Sequence, residues 1–304
     1  MKRRLAALMA VLLVASMALS ACGGKEEAGE SGGETDGGAL TLRLGHVVAD
    51  ESSLDKGLDK FAELVSEKSD GAIKVEIYPN SALGDNTALA EQLQMGSLDL
   101  AAPSVGAIGG FSKSVALFDM PYLFKNAEAA EEVFDGEIGQ SIADELEPSG
   151  FTVLAWMTQS WRHVTCNKEV HKPEDLKGLK IRTMDSEYHM MNFNTVGASA
   201  TPMAFSEVYT ALQQGTIDAQ ENPYTNIVTS RFYEVQDYVI ETAHIYDPCP
   251  LLLSNVTKDK LTEDQMAVLQ EAATEALAWE REEIVKDDDA YRKTVEDSGT
   301  KVIQ

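Results

Sequence analysis

After Cys22 the chain carries six arginines against fifty carboxylates, so each guanidinium is a scarce resource for anion chemistry. Arg281 and Arg292 fall in a charged terminal helix, where solvated pairing is the default. Arg43 and Arg231 have no special context and read as surface residues. Arg162 and Arg182 differ, because each sits inside a strand pattern: Trp161-Arg162-His163-Val164-Thr165 and Leu179-Lys180-Ile181-Arg182-Thr183. A guanidinium on a strand that faces a cleft offers a planar fork to a carboxylate. The same placement also suits an internal arginine–glutamate pair, and composition does not choose between the two.

Signs of catalysis are thin. The sequence has no Gly-x-Ser-x-Gly elbow after a strand, no Walker loop, no Gly-x-Gly-x-x-Gly dinucleotide turn and no His-Glu-x-x-His. His163 and Cys166 lie three positions apart in one strand pattern and so face opposite sides of a sheet. His46, His171, His189 and His244 show no ligand spacing and read as surface or pocket-lining groups. Cys22, Cys166 and Cys249 form no Cys-x-x-Cys pair, so neither a metal nor another cofactor is called for. A rival reading, a secreted enzyme acting on acidic or carbohydrate substrates, would use a carboxylate pair such as Glu207 and Glu221; Glu207 more simply opens a helix.

The elements that must hold these residues can be read from periodicity. Leu40, Leu42 and Leu44 alternate to Gly45 as a half-buried strand, and Leu54, Leu58, Phe61, Leu64 and Val65 share one helical face. Ile73, Val75 and Ile77 alternate again, a helix near 85–95 stops at Gly96, and Leu98–Ala102 reads as a buried strand. This strand–helix alternation is α/β with a mostly parallel sheet. Leu93-Gln94-Met95-Gly96-Ser97-Leu98-Asp99 is echoed 119 residues later by Leu212-Gln213-Gln214-Gly215-Thr216-Ile217-Asp218, which favours two similar lobes over one large sheet. A capping box at Thr262 and Gln265 opens a long helix to about Glu296, and Lys301-Val302-Ile303 starts a strand.

The 304 residues suit two domains, with 44% hydrophobic and 25% charged residues. A formal charge of −25 repels nucleic acid, so none is expected as a partner. Lys2, Arg3 and Arg4 precede an apolar run from Leu5 to about Leu19, too short to span a bilayer and patterned as a secretory signal over residues 1–21. Leu19-Ser20-Ala21-Cys22-Gly23-Gly24 resembles the bacterial lipobox, which makes Cys22 the lipidation site and 22–38 a Gly/Glu/Ser-rich tether. The protein is then expected on the outer face of the cell membrane, held by lipid.

One long block carries a family resemblance. Pro173-Glu174-Asp175-Leu176-Lys177-Gly178-Leu179-Lys180-Ile181-Arg182 leads to Gly197-Ala198-Ser199-Ala200-Thr201-Pro202-Met203-Ala204-Phe205-Ser206-Glu207 and on to Asp218-Ala219-Gln220-Glu221-Asn222-Pro223. Upstream stand Tyr78-Pro79-Asn80-Ser81-Ala82-Leu83-Gly84 and Phe118-Asp119-Met120-Pro121-Tyr122-Leu123-Phe124. Together they resemble the solute-binding proteins of tripartite ATP-independent periplasmic (TRAP) transporters, over roughly residues 40–304.

The resemblance implies a two-lobed α/β periplasmic-binding-protein fold with hinge strands and a long bracing helix. One lobe would span 39–159 plus 248–286, the other 160–247 plus 287–304. The family's chains run a few dozen residues further, so the second lobe is expected to be incomplete at Gln304. The resemblance also implies function: an extracytoplasmic lipoprotein that captures a dicarboxylate or sugar acid and delivers it to the small and large membrane subunits of a permease. By resemblance Arg182 clamps the ligand carboxylate, Arg162 is the second pocket arginine, Asn222 bonds the same carboxylate and Phe205 forms an apolar wall. Asp185, Ser104 and His46 should line the cleft by position.

Overall fold

The computed structural model describes residues 39–304; the leader, Cys22 and the tether lie outside the described residues. Apolar alternation becomes β1 (Leu40–Gly45) and β2 (Ile73–Tyr78), with α1 (Ser53–Lys68) between them. Leu54, Leu58, Phe61 and Val65 of α1 are buried as one face, and the Ser52 side chain caps it by accepting from the Asp55 amide. Next come α2 (Asn86–Met95), capped by Asp85, and β3 (Leu100–Ala101). The ladder of β3 is shorter than the apolar run around it, because Asp99 bonds sideways instead: its Oδ2 accepts from the Arg43 amide of β1 at 2.9 Å.

Two helices that the apolar pattern had not marked, α3 (Ala127–Asp135) and α4 (Glu137–Leu146), cover this first lobe and lead into β4 (Phe151–Cys166). The second lobe repeats the plan with β5 (Lys180–Thr183), α5 (Glu187–Thr195), β6 (Ser199–Pro202), α6 (Val208–Gln213) and β7 (Ala219–Pro223). The chain continues through α7 (Tyr224–Thr229), β8 (Tyr238–Ile240), β9 (Tyr246–Ser254), α8 (Glu263–Asp297) and β10 (Lys301–Ile303).

Strand order shows the duplication. In the first lobe β2-β1-β3 run parallel and β9 closes the row antiparallel; in the second β6-β5-β7 run parallel and β4 closes the row antiparallel. The sequence echo sits at the same point of each. Gly96 and Gly215 both take left-handed φ, 67° and 68°, as helix stops. Asp218 Oδ2 accepts from the Lys180 amide of β5 at 2.8 Å, the counterpart of Asp99 on Arg43.

β4 joins the lobes. Its first part pairs with β9, and its last five residues pair with β7. Register breaks between Thr158 and Trp161, where Ser160 adopts φ 72° and its hydroxyl bonds Asp288 of α8. Helix α8 opens with the Thr262–Gln265 capping box, at 3.2 and 2.9 Å. Leu269, Ala272, Ala273 and Ala276 enter the first lobe's core, while Val295 enters the core of the second, so one helix braces both.

Candidate functional site

β-pairing places Arg162 opposite Pro223 and His163 opposite Asn222, at the junction where β4 passes into the second lobe. Arg162 is 1% exposed and spends its guanidinium on protein. Nε donates to Glu221 Oε2 at 2.6 Å; Nη2 donates to Glu221 Oε1 at 2.9 Å, its backbone oxygen at 2.7 Å and Asn222 Oδ1 at 3.1 Å. Nη1 donates to Asp247 Oδ2, whose other oxygen accepts from Ser104 Oγ at 2.6 Å. Burial opposes the charge, yet Glu221 and Asp247 hold Arg162 above the usual arginine value. Burial alone would raise Glu221, but Arg162 and His189 hold it well below the usual carboxylate range.

From Glu221 the network crosses to the first lobe. His189 of α5 approaches Glu221 Oε1 at 3.3 Å through Nδ1 and Asp119 Oδ1 at 2.6 Å through Nε2. Ser186, the N-cap of the same helix, donates to Asp119 Oδ2 at 2.5 Å. Against burial, which favours the neutral ring, Asp119 and then Glu221 raise His189 to about 10, so it is an imidazolium at neutral pH. His244 meets Glu221 Oε2 at 3.1 Å, but burial outweighs that contact and lowers it.

Arg182 is built differently. It lies on β5, 3% exposed, with Nε and Nη2 both donating to the Met203 carbonyl at 2.9 and 2.7 Å. Its Nη1 is buried with no hydrogen-bond partner. The Phe205 ring stands 5.9 Å from its Cζ. Burial pulls Arg182 down to about 10, Glu221 opposing and Arg162 adding to the fall. Arg182 lines a cavity of about 480 Å³ between the lobes, with Val47, Asp85, Asn86 and Thr87 on one side and Asp185, Phe205 and Glu207 on the other.

Of the residues singled out by sequence, Arg182, Asp185 and Phe205 meet at this cavity, while Arg162, Ser104 and Asn222 meet in the buried network. His46 does neither: it is fully buried against Asp55 at 3.0 Å, its Nδ1 unpartnered. Glu207 is exposed at the cavity wall and Glu221 is locked in ion pairs. His163 accepts from the Ala243 amide, and the Cys166 thiol donates to the Lys168 carbonyl, so the two do not pair.

Asp119, His189, His244 and Asp247 were missed as a group, since they are spread over more than a hundred residues and only tertiary structure collects them. A larger hollow of about 750 Å³, under α3 and α4, holds only cations already bonded, Lys258 to Glu147 and Arg281 to Asp135. Among the described residues no cluster suits a metal ion, and no helix is long and apolar enough to cross a membrane.

Comparison with known proteins agrees with this architecture. Residues 44–304 match the family of bacterial extracellular solute-binding proteins, family 7, designated DctP. The chain is 33% identical over 266 residues to the 2,3-diketo-L-gulonate-binding periplasmic protein YiaO of Escherichia coli, covering 87% of this chain and 81% of that one. It is 33% identical over 262 residues to the C4-dicarboxylate-binding periplasmic protein DctP of Rhodobacter capsulatus, covering 86% and 79%. A TRAP periplasmic solute-binding protein from a Polaromonas species, solved bound to D-erythronate, superposes with a TM-score of 0.85 at 35% identity, covering 87% and 88%. Two duplicated lobes, a strand and a helix shared between them, and a match along nearly all of the described chain lead to one conclusion: this protein belongs to the DctP family of bacterial extracellular solute-binding proteins.

Proposed function

We propose that the protein captures a small organic carboxylate in the cavity between its lobes, with Arg182 as the clamp. The carrying observation is the buried, unpartnered Nη1 of Arg182 beside that cavity. A buried guanidinium left partly unbonded is costly, and a carboxylate restores the missing bond while adding an opposite charge. The relatives named for 2,3-diketo-L-gulonate and C4-dicarboxylates, and the one solved with D-erythronate, bracket the ligand class. Phe205 and Asp185 are walls of the same site. Arg162, Asn222 and Ser104 act behind it, by fixing the charge around Glu221 and Asp247. His46 supports the first-lobe wall next to Val47.

The assembly around it follows the same reading. Residues 1–21 are a signal, Cys22 carries lipid, and 22–38 tether the lobes to the outer face of the membrane. The lobes divide as 39–159 plus 248–286 and 160–247 plus 287–304. The filled form is delivered to small and large TRAP membrane subunits. An enzyme using Glu207 and Glu221 is disfavoured because Glu221 is already held by Arg162, His189 and His244. Incubation with a metabolite mixture tests the function: a retained acid recovered unchanged fits capture, and a converted product contradicts it. Labelling with palmitate that persists in Cys22→Ala would contradict the anchor.

A further inference from the structure

The cavity's charges say more than that an acid is bound. Among the described residues lining it, Arg182 is the only cationic side chain. The other arginine nearby, Arg162, is spent on Glu221 and Asp247. The remaining polar wall holds three carboxylates, Asp85, Asp185 and Glu207, together with Thr87 and with Asn86, whose Oδ1 is buried without a partner. Asp85 also bonds the Ala88 amide and is thereby fixed in place.

We infer that the ligand is a monocarboxylic polyhydroxy acid, an aldonate-type sugar acid, and that dicarboxylates are rejected. This rests on the carboxylate-capture reading above. One carboxylate satisfies the one available guanidinium. Hydroxyl groups along the remaining carbons donate to the Asp185 and Glu207 carboxylates, which can only accept, and to Asn86 Oδ1. A second carboxylate would instead meet these acids with no cation left to neutralise it. Like charges brought together weaken binding, so selectivity arises from repulsion as much as from attraction. Beyond Phe205 and Val47 a neighbouring hollow of about 220 Å³ is lined by Asn80, Ser81, Ser206, Tyr209 and Ser230, uncharged groups that suit further hydroxyls on a longer acid.

The test compares acids that differ only in the oxidation of their far end. The protein is titrated calorimetrically with four- and six-carbon aldonates (erythronate, threonate, gluconate, galactonate), with the matching aldarates (tartrates, glucarate, galactarate), with succinate and with the neutral polyol glucitol. The expected result is that at least one aldonate binds at least about tenfold tighter than its aldarate and than succinate. Asp185→Asn should narrow that ratio, because it removes one of the repelling charges. An aldarate or succinate that binds as tightly as the best aldonate overturns the inference and leaves carboxylate capture standing. Binding of none of the acids also overturns the inference, whereas glucitol bound as tightly as the best acid overturns carboxylate capture itself.

Discussion

Arg162 on β4 and Arg182 on β5, with β7 paired between the two strands, stand in opposite states: the first has carboxylates on two sides, the second has none. The contrast separates their roles. Arg162 holds the protein together where the lobes meet. Arg182 keeps one nitrogen without a partner beside the cavity, which is the ground for proposing it as the clamp.

Removing the hub of the buried network should therefore cost stability. Glu221→Gln leaves Arg162 and His189 short of a counter-charge, and breaking such a buried pair typically costs about 3–5 kcal/mol. Glu207→Gln, at an exposed carboxylate, should change stability by about 0.5 kcal/mol or less. Urea melts of both variants check this. Equal stabilities would mean the network is not a structural element.

The same network gives a pH signature. His189 is raised from 6.5 to about 10, so it binds its proton more tightly folded than unfolded. Its contribution to stability is complete below pH 6.5 and is lost as pH rises towards 10. A melting temperature that falls across that window, and falls less in His189→Gln, is the expected result; identical profiles for the two proteins would contradict it.

The paired glycines allow a sharper comparison. Gly215 has open space around the place a Cβ would occupy, so Gly215→Ala should cost only the left-handed strain, about 1 kcal/mol. At Gly96 the same atom would lie 2.5 Å from Val256 Cγ1, so Gly96→Ala should be clearly worse. Thermal denaturation of both variants decides it, and equal losses would mean that the Val256 contact is slack.

How much of this was legible beforehand depends on the range of each interaction. β1, α1, β2, the stop at Gly96 and the box at Thr262 are local signals, and each formed where its residues indicated. The echo around Gly96 and Gly215 correctly marked duplication because both glycines do the same local work. Helices α3 and α4 were passed over, although Phe134, Ile142 and Leu146 are buried on them. Strand β4 was visible only around Arg162, since its first part pairs with β9, some ninety residues away in sequence. The site was half legible. Arg182 stood out by type and strand context, whereas the partners that occupy Arg162 come from β7 and β9 and leave no spacing to read.

Closure should be measurable. A ligand that touches both walls of the cavity favours the form in which the lobes meet. Small-angle scattering should show a smaller radius of gyration with a retained acid than without it. Trp161, packed 5.1 Å from Tyr246 and next to Arg162, offers a fluorescence report of the same step. No change in either at saturation would contradict a hinged capture.

The most direct measurement is the affinity of Arg182→Lys for the acid recovered from the retention experiment, with folding checked by circular dichroism. Lysine keeps the charge but loses the fork that lets two nitrogens hold the Met203 carbonyl while the third stays free. Losing a directed hydrogen bond to a charged group costs about 1.5–3 kcal/mol, so binding should weaken by roughly tenfold to a little over a hundredfold. Arg162→Lys should lower the melting temperature more and the affinity less. An Arg182→Lys protein that folds and binds the acid as tightly as the original would contradict Arg182 as the clamp.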